Sequence, residues 1–208
     1  VRGEAPTGRF HLQLTASTSR AGSDALLYQM IPDLDLLRPQ LANDDPDWIT
    51  VTLRGIGAMA GGPDSWLDLS PYEFDEYGAA RAYVNLVAGA ADQATWVQMD
   101  ATAVDLAQRM AGAPGNIQYL YDGGWQTTPF PPARPFPAWH WGLGTTYHEA
   151  GTMWMGDDPD SSVSTPSGRL HHLANVYVGD QAAFPTVGSV NPVLTGLTLA
   201  RRLAETVG

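Results

Sequence analysis

Apolar and polar residues alternate along four stretches in the first half of the chain. Phe10-His11-Leu12-Gln13-Leu14-Thr15-Ala16 is the first, and it reads as a strand because side chains two apart share one face. Trp48-Ile49-Thr50-Val51-Thr52-Leu53-Arg54 repeats the pattern, Ser65 to Ser70 is a shorter candidate, and Ala82 to Val87 is another. Gly-Gly-Pro, Asp-Pro and Ser-Pro signals lie between and around them and mark turns. Strands in succession with turn-sized gaps favour antiparallel pairing over βαβ units.

The period then changes to that of a helix. Ala91 to Arg109 is predicted helical, with Trp96, Met99, Val104, Leu106 and Met110 as a broad apolar face laid across one side of the sheet. Asp92 near its start suits the helix dipole, and Gly112 with Pro114 ends it. Close to the C-terminus, Ala174 to Gly179 reads as a buried strand. Asn191 to Glu205 reads as a helix with Leu194, Leu197, Leu199 and Leu203 turned inward. Asn191 is expected at its N-cap, Pro192 at its first helical position, and Arg201 and Arg202 toward its favoured end.

Residues 119–147 follow neither period. Tyr119, Tyr121, Trp125, Phe130, Phe136, Trp139, Trp141 and Tyr147 fall among repeated prolines and glycines, which exclude a helix or a central strand. So many rings argue against disorder. They either fill a satellite core or line a substrate site, with Trp139, Trp141 and Tyr147 as the lining candidates.

Composition narrows the classes. A chain of 208 residues forms one large or two small domains, and 44% hydrophobic residues suffice for a core. No apolar run approaches the roughly 20 residues of a membrane span, and no leader pattern stands at the start. The first residue is Val, which fits a fragment of something longer. The net charge of −11 repels phosphate backbones and argues against nucleic-acid partners. All 11 basic residues are Arg, so Schiff-base, P-loop and Ser-x-x-Lys chemistry is absent. With no Cys there are no disulfides, thiolate nucleophiles or thiolate metal sites, and the compartment stays open.

Several catalytic templates fail on context. Gly55-Ile56-Gly57-Ala58-Met59-Ala60 matches G-x-G-x-x-A after a strand. Gly61-Gly62-Pro63 follows, however, where a dinucleotide fingerprint needs a helix, so the stretch reads as a strand exit and turn. There is no G-x-S-x-G elbow. His148-Glu149 begins like H-E-x-x-H, but position 152 is Thr. His171 and His172 on a strand would point to opposite faces, and no metal ligand set is assigned. What remains is His148 in a Gly-flanked turn and, about forty residues on, Asn191 at the mouth of a helix. A His takes a proton near neutral pH, an Asn holds the oxygen that loses it, and a helix N-terminus adds positive charge. These are parts for oxidising an alcohol against an electron sink.

The C-terminal stretch carries ordered signatures. His148, Gly151, Thr152, Met155 and Gly156 match H-x-x-G-T-x-x-M-G. Asn175 to Thr186 matches N-[LV]-Y-V-x-D-x-x-x-F-P-T, and Asn191 to Ala200 matches N-P-x-x-T-x-x-x-L-A. In these residues the chain resembles the C-terminal region of the glucose–methanol–choline (GMC) oxidoreductases, FAD-dependent alcohol oxidases and dehydrogenases.

The resemblance implies an α+β fold. An antiparallel sheet with helices on one face would form a substrate-binding domain over residues 1–167, and a C-terminal strand and helix in 168–208 would complete an α/β FAD-binding domain. It implies His148 as the base facing the flavin, Asn191 as its partner, and hydride transfer to flavin N5. Asp180 and Gln181 would lie toward the ribityl and phosphate region, with Pro192 and Val193 at the pyrimidine edge of the ring. It also implies a second polypeptide carrying the N-terminal FAD-binding half, and a small alcohol or sugar as substrate. A non-catalytic binding or structural subunit derived from the family, and a metal-dependent hydrolase, are the other readings.

Overall fold

The computed structural model describes residues 1–17, 47–121, 124–129, 140, 142–144 and 147–207. Strands β1 (Arg2–Ala5), β2 (Gly8–Ser17) and β3 (Thr50–Gly57) form a sheet in the order β1-β2-β3. Strands β4 (Trp66–Phe74) and β5 (Ala80–Asn85) pair antiparallel, as do β6 (Tyr119–Tyr121) and β7 (Gly124–Gln126). Helices α1 (Ala90–Ala111) and α2 (Val193–Val207) complete the regular structure of the described residues, with single 3-10 turns at Pro114–Asn116 and Gln181–Ala183. The chain is thus mixed α+β, and its described strands fall into three small sheets rather than one.

Contacts divide the chain into two units. The first comprises Val1–Gly3, His11–Gly55 and Val97–His140; the second comprises Glu4–Phe10, Ile56–Trp96 and Trp141–Gly208. In the first unit Leu12, Met99 and Tyr119 are buried. A Cβ on Gly55 would lie 2.6 Å from Met99 Sδ, so the missing side chain is what lets α1 sit on β3. His140 reaches back to the same helix, its Nε2 lying 2.8 Å from an Asp100 carboxylate oxygen. In the second unit Gly8 and Gly57 play the same part beneath Thr95: a Cβ on Gly8 would lie 2.9 Å from Thr95 Oγ1. Thr95 is 1% exposed and bonds Thr7 at 2.8 Å. The Gly55–Ala60 stretch is therefore a strand end packed under a helix, and no helix follows it before Ala90.

Asp92 fixes the start of α1. Its side chain accepts from the Gly89 amide at 2.8 Å, which is the return half of a capping box, and from the Ala60 amide at 2.8 Å. The residue is 4% exposed. The buried stripe of α1 is Asp92, Thr95 and Met99, whereas Met110 is 47% exposed. Of the face expected from apolar spacing, Met99 is buried and Trp96, Val104 and Leu106 are half-buried, and only Met110 departs from it. The glycines of the sheet select the small Thr95 and the flexible Met99 as the close-approach positions.

The β4–β5 hairpin pairs Trp66 with Asn85, Leu67 with Val84, Asp68 with Tyr83 and Leu69 with Ala82. Its register shifts between Leu69 and Phe74, around Pro71, which has no amide to give the ladder. The Asp75 carboxylate accepts from the amides of Tyr77 and Ala79, and Gly78 takes the left-handed turn position at φ +80.

Two C-terminal expectations change. No strand forms over Ala174 to Gly179; the segment holds turns and one isolated bridge between Arg169 and Tyr177. Leu170 N donates to Val176 O at 3.0 Å and Val178 N to Gly168 O at 2.8 Å, so one short neighbour supplies all of its ladder. A strand of the parallel, buried kind needs pairing along its length. In α2, Leu194 and Leu197 are 78% and 64% exposed, not inward. Pro192 and Gly196 are buried, the expected Leu199 and Leu203 are half-buried, and a Cβ on Gly179 would lie 3.1 Å from the branched tip of Leu203. No described helix is long and apolar enough to cross a membrane.

Candidate functional site

The residues singled out in sequence gather around the short turn Gln181–Ala183. Asp180 caps this turn from an extended conformation, its Oδ1 accepting from the Ala182 amide at 2.8 Å. The segment after His148 is laced to the turn by backbone bonds. Gly151 N donates to Gln181 O at 3.1 Å, Met153 N to Ala182 O at 2.8 Å and Met155 N to Ala183 O at 2.9 Å. Gly151 sits at φ +81, and a Cβ there would lie 3.3 Å from Phe184 O. Glycine is needed at that position for both conformation and space.

Helix α2 reaches the same turn from the other side. Gly196 is buried, and a Cβ on it would lie 2.9 Å from Gln181 Oε1 and 3.5 Å from Gln181 N. Its amide donates to Pro192 O at 2.9 Å, which makes Pro192 the cap position and puts Asn191 one residue outside it. Sequence spacing had set both one place further into the helix. Asn191 and Val193 are exposed while Pro192 is buried.

His148 is half-buried and lies three residues from Gly151, an extended reach of at most roughly 10 Å. Tyr147 just before it is 70% exposed and holds φ +54, a left-handed conformation that is uncommon for a bulky side chain. Glu149 on its other side is exposed. The structure therefore brings the His148 arm, Asp180, Gln181 and the Asn191–Val193 end of α2 to one turn. Trp139 and Trp141 lie outside the described residues.

A second cluster lies in the loop that follows. Asp158 organises it: its carboxylate accepts from the Asp160 amide at 3.0 Å and the Ser161 hydroxyl at 3.1 Å. Ser162 Oγ donates to Asp158 O at 2.6 Å and contacts His171 Nε2 at 2.8 Å. A hydroxyl has one proton, so His171 must be the donor in the second bond, the reverse of an activated serine nucleophile. Ser164, with no exposure, ties the same loop by Oγ to Met153 O at 2.9 Å. Among the described residues no group of three or more His, Cys, Asp or Glu side chains is placed to hold a metal ion.

Sequence reasoning missed Gly196, Gly168 and Gly179 as packing positions. Gly168, at φ +87, would put a Cβ 2.8 Å from Val178 O. The signal was present: a glycine within a helix costs stability, so it usually marks a close approach.

Comparison with known proteins bears on this region. The model of the GMC oxidoreductase family matches residues 67–200. Paromamine 6'-oxidase of Streptomyces fradiae is 45% identical over 60 residues, which are 29% of this chain and 11% of that protein. Pyranose 2-oxidase of Tricholoma matsutake is 33% identical over 64 residues, 31% of this chain and 11% of that protein. The aligned stretches thus span about a tenth of the length of each relative.

Proposed function

The chain belongs to the GMC oxidoreductase family, and we therefore propose that it is the C-terminal portion of an FAD-dependent enzyme that oxidises an alcohol group of a sugar. The observation that carries this reading is the junction at Gln181. One backbone bond fastens the His148 arm to it, and one buried glycine seats the Asn191 helix on it. A base and an oxygen-holding amide, His148 and Asn191, 43 residues apart in sequence, are thereby tied to a single turn. The sugar class draws on the names of the two relatives, an oxidase of paromamine and an oxidase of pyranose.

The residues fit a flavin. The N-terminal end of α2 lies next to the exposed Asn191 and Val193, and a helix N-terminus suits a group that gains negative charge. Gly196 keeps Gln181 and Asp180 close to that end, and the hydroxyl-binding capacity of Asp180 suits a polyol chain. FAD, when bound, supplies the two-electron acceptor. His148 takes the hydroxyl proton of the substrate on an imidazole nitrogen, a role worth about 10²–10⁴-fold. Asn191 donates its side-chain N–H to the same oxygen as charge grows on it. Tyr147, exposed and held in a strained conformation, presents a ring beside the base for a sugar face.

The Gly-rich pyrophosphate loop comes from a second polypeptide segment, in our reading. Two features support this: the Gly55–Ala60 stretch is spent on packing under α1, and Leu194 and Leu197 of α2 stand 78% and 64% exposed. Anaerobic mixing of the native, flavin-containing particle with glucose or paromamine tests the activity. Bleaching of the flavin absorbance by either sugar is expected; an oxidised spectrum after prolonged contact with both would overturn the reading.

A further inference from the structure

The β4–β5 hairpin is a two-stranded sheet of its own, and most of its side chains are exposed. A lone hairpin is marginal in water, and an open strand edge is a template for further pairing. Its two edges differ. On β4 the outer amides are taken up locally. Asp68 Oδ1 accepts from the Leu69 amide at 2.7 Å, and Ser70 Oγ accepts from those of Tyr72 and Glu73 at 3.3 and 3.0 Å. Pro71 between them has no amide to offer.

Among the described residues β5 carries no such protection. Odd positions along it turn their backbone toward β4: Ala79 O accepts from the Asp75 amide at 2.9 Å, and the Val87 amide donates to Ser65 Oγ at 3.0 Å. The register shift falls on the β4 side, between Leu69 and Phe74, so alternation along β5 is unbroken. Ala80, Ala82 and Val84 therefore turn their N–H and C=O groups to the outer edge.

This edge is complementary to itself. An antiparallel copy of β5 centred on Ala82 sets Ala82 against Ala82 and Ala80 against Val84, so each outward group meets another. The adjoining row matches too. Arg81, the one cation of β4 and β5, comes opposite Tyr83 of the second copy. That tyrosine stacks on Trp66 with centroids 5.4 Å apart and pairs with Asp68 on its own hairpin, so the cation meets a ring with a carboxylate beyond it. Sliding by two residues one way sets Arg81 against Arg81, and the other way leaves Ala80 beyond the strand. Sliding by one sets outward groups against inward ones.

We propose that the outer edge of β5 is a docking surface for a second copy of this chain, which gives a two-fold sheet in the order β4-β5-β5-β4. The surface is independent of the chemistry proposed for His148.

The chain has no cysteine, so an introduced thiol reports on one position alone. In the native particle, Ala82→Cys sets two thiols on the axis with Cα atoms about 5.5 Å apart, within disulfide reach. Mild oxidation should convert most of this variant to a disulfide-linked dimer. The two copies of Val84→Cys would lie more than about 13 Å apart along the strands and should stay unlinked in the same oxidant. In sedimentation the unaltered particle should hold an even number of copies, and Arg81→Glu should raise the dissociation constant about tenfold. No linkage at Ala82, equal linkage at both positions, or a particle with a single copy of this chain overturns the proposal. Linkage through position 82 to a different polypeptide gives the edge to that partner and overturns it as well.

Discussion

The amide of Gly151 donates to the carbonyl of Gln181 at 3.1 Å, and that bond sets where His148 can be. From it the chain runs three residues back to the imidazole. From the same Gln181, across the bare Cα of Gly196, α2 runs back to Asn191. The position of His148 relative to Asn191 is thus a property of one turn.

The two glycines at that turn respond differently to a methyl group. At Gly151 alanine meets a backbone carbonyl at 3.3 Å with φ +81, so Gly151→Ala should cost about 1–2 kcal/mol and displace His148. At Gly196 the nearest atom is the movable end of Gln181. The helix meanwhile gains roughly 1 kcal/mol of propensity from alanine, so Gly196→Ala should be close to neutral. Chemical denaturation of both variants checks this ordering.

Asn191 stands one residue before the helix cap at Pro192, and the proposed function gives its side chain a growing oxyanion to hold. Asn191→Ala should keep stability within about 0.5 kcal/mol. Loss of a donor to a growing oxyanion should lower the rate of flavin reduction by about 10²–10³-fold. A drop in thermal stability of the size of a lost cap, with the rate unchanged, would return Asn191 to a structural role.

Asp92 holds two amides, Gly89 and Ala60, from one buried carboxylate. Asp92→Ala removes both acceptors at once and should destabilise the protein by about 2–4 kcal/mol, since bonds to a charged group each contribute about 1.5–3 kcal/mol. Asp92→Asn should recover part of this. Urea denaturation curves compare the three.

Ser162 gives its proton to Asp158 O and accepts from His171. Ser162→Ala should therefore lower stability by about 1 kcal/mol and leave substrate oxidation unaltered. A hydrolytic activity lost with this serine would contradict the assignment.

Much of the regular structure was legible from side-chain period. Phe10 and Leu12 on β2 are buried as their alternation required, and α1 ends at Ala111, just before Gly112. The family was legible through ordered signatures around His148, Asp180 and Asn191, and the family model matches residues 67–200. What escaped is tertiary in origin. The buried face of α1 is set by Gly8, Gly55 and Gly57 on other strands, which favour Thr95 and Met99 over the larger Trp96 and Met110. The strand expected over Ala174 to Gly179 depends on neighbours, and among the described residues Gly168 and Leu170 give it backbone bonds. Leu194 and Leu197 follow a helical period but stay exposed, because Gly196 and Leu203 make the contacts of α2.

The central claim is that His148 removes the substrate proton, and rapid-mixing measurement of flavin reduction under anaerobic conditions tests it most directly. With the native particle and a saturating sugar, His148→Ala should slow bleaching by about 10²–10⁴-fold while flavin content and folding stay unchanged. Bleaching at the unaltered rate in that variant would contradict it.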